Sequence, residues 1–137
     1  MIHFFNRNRK EILTVTAVKM IDLETQCLNY IAQINYSSII LSKDIKDYLF
    51  NFQNFRNGLL DLYENQVDNV NYVSIEGDLR FFIERNRLGQ INVEIFFQHL
   101  EVDEDTEIDV SCKYSIDLSF LPELIEELNK VFDEISL

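Results

Sequence analysis

The feature that most constrains the fold is a strict alternation of apolar and polar residues near the C-terminal end of the chain. Every second position is apolar there, at Ile108, Val110, Cys112, Tyr114 and Ile116. Successive side chains of a strand point to opposite faces of a sheet, so this period predicts a strand with one buried and one solvated face. Such strands are typical of antiparallel sheets that cover a core on one side.

The same alternation, rich in β-branched and aromatic residues, recurs along the rest of the chain. It predicts strands over residues 11–23, 27–36, 70–75, 79–84 and 91–98, with residues 37–41 expected to extend the second of them. The Asn86–Gly89 stretch, which lies between the last two of these strands, predicts a hairpin turn.

Two segments change to the three- and four-residue spacing of a helix. The first is predicted to begin at Ser42, as an N-cap, and to end near Glu64. Gly58 lies late in this helix, where it either permits close packing or ends the helix early. The second helix is predicted after Ser119, with Pro122 in its first turn and an apolar stripe that runs to Ile135.

The predicted order of elements is β-β-α-β-β-β-β-α, which belongs to the α+β class. The alternation leaves one sheet face solvated, so we expect a mainly antiparallel sheet of about six strands with the two helices packed on one face. A chain of 137 residues can bury a sufficient core without disulfides or metal ions. Residues 1–137 are therefore expected to form a single domain.

The charge of the chain is concentrated at its C-terminal end. Residues 98–137 carry 12 acidic and 2 basic side chains, which accounts for −10 of the net charge of −12. Such a field repels nucleic acid and anionic membranes, and it attracts basic partners over a Debye length of about 8 Å. The sequence therefore predicts no direct nucleic-acid or membrane ligand.

Residues that carry catalysis in other proteins form no recognisable constellation here. The histidines are His3, in the terminal segment, and His99, at a strand end, where a surface position is the expected interpretation. With glycines at 58, 77 and 89, the chain has neither a GxGxxG nor a GxxxxGK[ST] motif. We therefore expect no enzyme activity and no cofactor.

Metal and disulfide sites are likewise not predicted. The acidic run from Glu101 to Asp109 has the composition of a calcium loop, but Ile108 stands where an EF-hand requires glycine, so a solvated hairpin connection is expected. Cys27 and Cys112 lie in alternating apolar runs without metal-ligand spacing, and they are expected to be buried, reduced thiols. Neither a signal peptide nor a long apolar span is recognisable, which favours a cytoplasmic location.

Three aromatic residues deviate from the predicted core pattern. Phe50 lies off the apolar stripe of the first helix, and Phe82 and Phe96 point away from the main apolar faces of their strands. Two interpretations remain open at this point. These side chains either form an exposed patch or are covered by a second layer of structure.

Three short motifs stand out in the second half of the chain. Gly77-Asp78-Leu79 opens a strand, Leu88-Gly89-Gln90-Ile91 lies at a turn, and the residues from Asp117 to Pro122 lead into the final helix. With these motifs, residues 42–135 resemble WapI-like immunity proteins, in which G-x-L-x-F-x-I and G-x-I-x-V strands and a D-Q-S-x-L helix entry recur. Leu118 stands in place of the family's Gln.

This resemblance implies a cytoplasmic, non-enzymatic protein that binds the toxic C-terminal domain of a polymorphic bacterial toxin and blocks its active site. Many such toxins are basic nucleases, so an acidic inhibitor can be steered to them and can occupy a phosphate-binding cleft. We expect the partner to contact two groups of residues. They are the acids Glu101, Asp103, Glu104, Asp105, Glu107, Glu123, Glu126 and Glu127, and the aromatics Phe82 and Phe96.

Two other functions remain as alternatives. A structural or regulatory homo-oligomer, such as a homodimer, would bury Phe82 and Phe96 or pair free strand edges across a two-fold axis. A ligand-binding or weakly catalytic domain would require a deep pocket with converging polar groups.

Overall fold

A computed structural model describes residues 1–135 of the chain and confirms the α+β class. Two antiparallel sheets of four strands are each followed by a helix. The first half consists of β1 (Ile2–Phe5), β2 (Glu11–Asp22), β3 (Cys27–Tyr36), β4 (Ile39–Tyr48) and α1 (Leu49–Tyr63). The second half consists of β5 (Asn69–Val73), β6 (Leu79–Arg85), β7 (Ile91–Asp103), β8 (Thr106–Ile116), a 3-10 turn (Leu118–Phe120) and α2 (Leu121–Ile135).

The strands form two sheets of four, in the orders β1-β2-β3-β4 and β5-β6-β7-β8, where one sheet of about six strands was predicted. Strand β1 is the first reason for the difference, because its four residues are too few to display a period. Strand β4 is the second reason, because its residues were predicted partly as an extension of β3 and partly as the start of the first helix. Helix α1 separates the two sheets along the chain, so each sheet is a meander of neighbouring strands.

The predicted start of the first helix at Ser42 is wrong. Residues 39–48 pair with β3 throughout, from Ile39 opposite Tyr36 to Tyr48 opposite Cys27. Their burial has a period of two, and Ile45 points inward between exposed neighbours. The apolar residues near this boundary fit both periods, and the long pairing with β3 selects the strand. The helix begins at Leu49 without a side-chain cap.

The predicted extension of β3 through residues 37–41 is also corrected. The chain turns at Ser37, whose backbone takes the left-handed conformation with φ of 57°, and then returns as β4. A serine reaches this region at a modest conformational cost, which a glycine would avoid. The sequence Ser-Ser therefore gave little indication of a hairpin.

One hydrophobic core is shared by both sheets and both helices. Phe4 of the first sheet contacts Phe81 of the second, with ring centroids 4.6 Å apart, and Tyr30 packs edge-on against Phe52 of α1 at 5.0 Å. Helix α1 packs on β4 and β5, α2 packs on β1 and β2, and the helices contact each other. The core therefore spans the boundary between the two halves of the chain.

A buried polar network also joins the two sheets. The hydroxyls of Tyr30 and Tyr72 are 2.8 Å apart, and Tyr72 donates a short hydrogen bond to the carboxylate of Asp47. Asn51 of α1 donates to both carboxylate oxygens at 3.0 Å, and the Tyr48 amide donates at 2.8 Å. Since all these partners are donors, the ionised form of Asp47 is well satisfied.

The two cysteines are less buried than the sequence predicted. Cys27 and Cys112 are free thiols, but both are half-buried where full burial was predicted. Cys112 packs against the edge of the core.

None of the helices within residues 1–135 is long and apolar enough to span a membrane.

Candidate binding surface

The β7–β8 hairpin extends beyond the rest of its sheet. Strand β6 pairs with β7 only as far as Phe97, whereas β7 and β8 continue to pair until Asp103 stands opposite Thr106. Residues 99–109, called the arm below, therefore pair mainly with each other. Glu101 and residues 103–109 of the arm are exposed, whereas Leu100 at its base is buried.

The acidic residues of the arm form one exposed cluster. A shallow depression at its end is lined by Glu101, Asp103, Glu104, Asp105, Thr106 and Glu107, all of them exposed. Among the described residues, the carboxylates of Glu101, Glu104 and Asp105 have no cationic partner within 4 Å. The hairpin connection expected from the sequence is confirmed, and its charges are available to another molecule.

The base of the arm is held in place by His99 and Lys43. His99 adopts a left-handed conformation at an irregularity of β7, its N–H donates to Asp109 at 3.1 Å, and its ring lies 3.4 Å from Glu107. The Lys43 ammonium of β4 donates to the His99 carbonyl at 3.0 Å and lies 3.3 Å from the buried carboxylate of Asp78. His99 thus has the surface position that was expected, and it orients the arm.

The acidic residues predicted on the last helix are paired within the chain. Glu127 accepts hydrogen bonds from the His3 amide at 2.7 Å and from its ring at 2.8 Å, and Glu123 lies 2.6 Å from Arg9. Glu126 lies 3.6 Å from Lys130, one turn further along α2. Glu123 and Glu127 tie α2 to the N-terminal residues, Glu126 pairs within α2, and the depression on the arm contains none of the three.

Phe82 and Phe96 lie on the outer face of the second sheet. Each is half-buried, Phe82 stands opposite Glu94 and Phe96 stands opposite Arg80. Both line one shallow, open depression with polar neighbours, so they form a small aromatic patch within a polar face. Phe50 is more exposed, at 57%, and stacks on Tyr48 with ring centroids 5.5 Å apart.

A groove between β8 and the first sheet was not predicted. It has a volume of about 630 Å³ and is lined by Asn6, Ile12, Ile34, Ile39, Leu41, Ile108, Val110, Ser111, Cys112, Lys113 and Tyr114. The inner face of β8, which was expected to be buried, is half-exposed along this groove, with Ile108 at 36% and burial complete only at Ile116. The reason is that β8 is an edge strand and the first sheet does not extend over it. Alternation reveals which face is apolar, but it does not reveal what covers that face.

The groups with perturbed acidity lie along the groove, where burial raises the pKa of Cys112 and Tyr114, and in the core. Burial raises the pKa of Asp47, although its hydrogen bonds with Tyr72, Asn51 and Tyr48 act in the opposite direction. Burial likewise raises the pKa of Tyr30 and Tyr72. Within residues 1–135, no group of three or more His, Cys, Asp or Glu side chains is arranged to hold a metal ion.

Comparison with known proteins gives one match. A family model described as the immunity protein WapI-like family matches residues 48–136, which is more than half of the chain. No curated protein and no solved structure matches. The matched region begins at Tyr48, the last residue of β4, and includes α1, the whole second sheet, the arm and α2.

Proposed function

The chain belongs to the WapI-like immunity protein family, and from this membership we propose that it binds the toxic C-terminal domain of a cognate polymorphic toxin and neutralises it. In this proposal the chain acts by occupying the toxin's functional surface and performs no chemistry itself. It acts in the cytoplasm, as a single domain of residues 1–137 that requires no cofactor.

The observation that best supports a basic toxin is the acidic arm. Its carboxylates Glu101, Glu104 and Asp105 lie beyond the sheet, exposed and without a cationic partner among the described residues. Nucleases bind a polyanion and expose basic clefts, so an acidic projection can enter such a cleft and compete with the phosphate backbone. We therefore propose that the toxin is a basic nuclease and that the arm enters its cleft.

The acids of α2 and the aromatic patch have secondary roles in this proposal. Glu123, Glu126 and Glu127 are already paired with side chains of the chain itself, so they contribute to the long-range field more than to direct contacts. Phe82 and Phe96 would add apolar contact area if the toxin extends over the outer face of the second sheet.

Association kinetics with the toxin domain test the role of the arm. The triple variant Glu101→Lys, Glu104→Lys, Asp105→Lys should associate on the order of tenfold more slowly at low salt, and its rate should depend less on salt. The matched control is Asp61→Lys, Glu64→Lys, Asp68→Lys, which makes the same change in charge at three exposed positions near the end of α1.

Equal association rates for the two triple variants would show that the arm is not the contact surface. Light scattering of the isolated chain tests the homo-oligomer that remains as the alternative. A stable dimer that Phe82→Ser and Phe96→Ser dissociate, together with no binding of the toxin domain, would favour that alternative.

A further inference from the structure

The groove beside β8 has the features of a site for an added strand. Strand β8 is the last strand of its sheet, and within the described part of the chain no strand pairs with its outer edge. Five consecutive residues, 110–114, line the groove. Because consecutive side chains of a strand alternate between faces, a lining of this kind means that the groove follows the backbone edge of β8.

The groove is apolar on the side that faces the core. Val110 and Cys112 of β8 are half-buried there, opposite Ile12, Ile34 and the exposed Ile39 of the first sheet. Residues 108–114 extend over about 20 Å, since a strand rises about 3.3 Å per residue. That length accommodates a strand of about six residues, whose inward side chains would cover the apolar surface that the first sheet leaves open.

Charge identifies the kind of strand that fits. On the outer face of β8, the part that belongs to the arm carries Glu107 and Asp109, whereas Lys113 further along lies 3.7 Å from Glu94. A neighbouring strand places its outward side chains beside these residues, where opposite charges stabilise the pair and like charges destabilise it. A second copy of this chain, with its net charge of −12, is a poor candidate for this acidic site.

We propose that β8 receives an extended segment of the toxin as a ninth strand, with apolar side chains in the groove and basic side chains beside Glu107 and Asp109. This inference rests on the proposed function and specifies how the complex forms. Backbone hydrogen bonds to the strand edge supply affinity, and the alternate side chains supply specificity. The arm, which is continuous with β8, first attracts the basic protein and then flanks the inserted strand.

The two cysteines of the natural chain provide a direct test. Cys112 lines the groove and Cys27, at the start of β3, does not, while both are half-buried free thiols. Each is labelled with a maleimide, alone and with an excess of the toxin domain, and quantified by peptide mass spectrometry. An occupied groove should slow labelling of Cys112 by about tenfold or more, because the reagent must await dissociation or local opening, and should leave Cys27 unchanged.

Two substitutions test the site independently of labelling. Val110→Lys introduces an ammonium into the groove, and Val67→Lys makes the same change between α1 and β5, at a side chain that is 38% exposed and lines neither the groove nor the aromatic patch. Val110→Lys should weaken toxin binding by about tenfold or more, whereas Val67→Lys should leave it unchanged. If Val110→Lys fails to fold, Ile108→Lys at a more exposed position of the same groove takes its place.

The outcomes separate this inference from the function on which it rests. A tight complex in which Cys112 is labelled as fast as in the free chain, or in which Val110→Lys binds like Val67→Lys, would overturn the added strand and leave the immunity function intact. The absence of any complex with the toxin domain would overturn both. Slower labelling caused by a second copy of the chain alone would assign the groove to self-association and contradict the proposal.

Discussion

Asp47 shows how a single buried residue can define the packing of the two sheets. Its carboxylate is 0% exposed and receives hydrogen bonds from β5, from α1 and from its own backbone neighbour. Tyr72 has one hydroxyl proton, with which it donates a hydrogen bond to Asp47. Tyr30 is therefore the donor in the hydrogen bond between the two tyrosine hydroxyls. The network thereby fixes β3, β4, β5 and α1 in one arrangement, although burial still disfavours the charge.

Asp47→Asn should change the pH dependence of stability. Because the folded pKa of Asp47 is raised above its ordinary value of 3.8, the native state holds this proton more tightly than the unfolded state does. The stability that this proton contributes to the native state is fully present below pH 3.8 and is lost as pH rises through the folded pKa of Asp47. The free energy of unfolding of the natural chain should therefore fall relative to that of Asp47→Asn across this window.

Parallel urea titrations of the two proteins between pH 3 and pH 7 measure this difference. A difference in unfolding free energy that stays constant over the whole range would show that the folded pKa of Asp47 is not raised.

Helix α1 and strand β5 approach each other closely at one glycine. A Cβ atom on Gly58 would lie 2.9 Å from a methyl carbon of Val70, so the close packing foreseen for this glycine is confirmed and the helix continues past it to Tyr63. Valine is stiff at χ1, which leaves it little freedom to move away from an added methyl group. The glycine thus lowers the helix propensity of α1 but allows α1 to pack closely against the second sheet.

Gly58→Ala should destabilise the protein even though alanine is the better helix former. The propensity gain of about 1 kcal/mol is opposed by an overpacking cost of about 1–3 kcal/mol, so a net loss of about 1 kcal/mol is expected. Val70→Ala removes the methyl groups in question, and chemical denaturation of the single and double variants forms a double-mutant cycle. Additive effects in that cycle would show that Val70 is not the obstacle.

Most of the strands and the second helix could be predicted from the spacing of their apolar residues. Strands β2, β3 and β5–β8 and helix α2 were located by their periods, and the apolar face of β8 was identified correctly. Strand β4 was misassigned because Ile45 and Leu49, four residues apart, satisfy both periods, and long-range pairing with β3 decided between them. The groove was not predictable because its existence depends on where the first sheet ends relative to β8.

The acids also show why a surface is harder to predict than an element. Composition identified the arm and α2 as acidic, but it could not show that Glu123 and Glu127 pair with Arg9 and His3, more than a hundred residues away. These ion pairs depend on the packing of α2 against β1, which itself was not predicted.

The region that the family model matches contains only part of the hydrophobic core. The match begins at residue 48, yet ten of the buried hydrophobic residues lie on β1–β4, among them Phe4, Tyr30 and Ile45. Fully burying one such side chain contributes about 1.5–3 kcal/mol, while a whole domain is stable by about 5–15 kcal/mol. We therefore propose that the first sheet is part of the same folding unit as the matched region.

Removal of residues 1–47 should consequently prevent cooperative folding. The remaining fragment would lose Asp47, the partner of Tyr72, and would expose the rings of Phe52 and Phe81 that pack against the first sheet. Thermal and urea unfolding of fragment 48–137, followed by circular dichroism, should show no two-state transition. A fragment that unfolds with the stability of the full chain would contradict a shared core.

Neutralisation of a cognate toxin by binding can be measured by titrating the isolated toxin domain with the purified chain. Toxin activity is measured at each ratio of the two proteins. We expect activity to fall in proportion to added chain and to be abolished near equal molar amounts, as for a tight, non-catalytic inhibitor. Full toxin activity in the presence of a large excess of the chain would show that this chain does not neutralise the toxin.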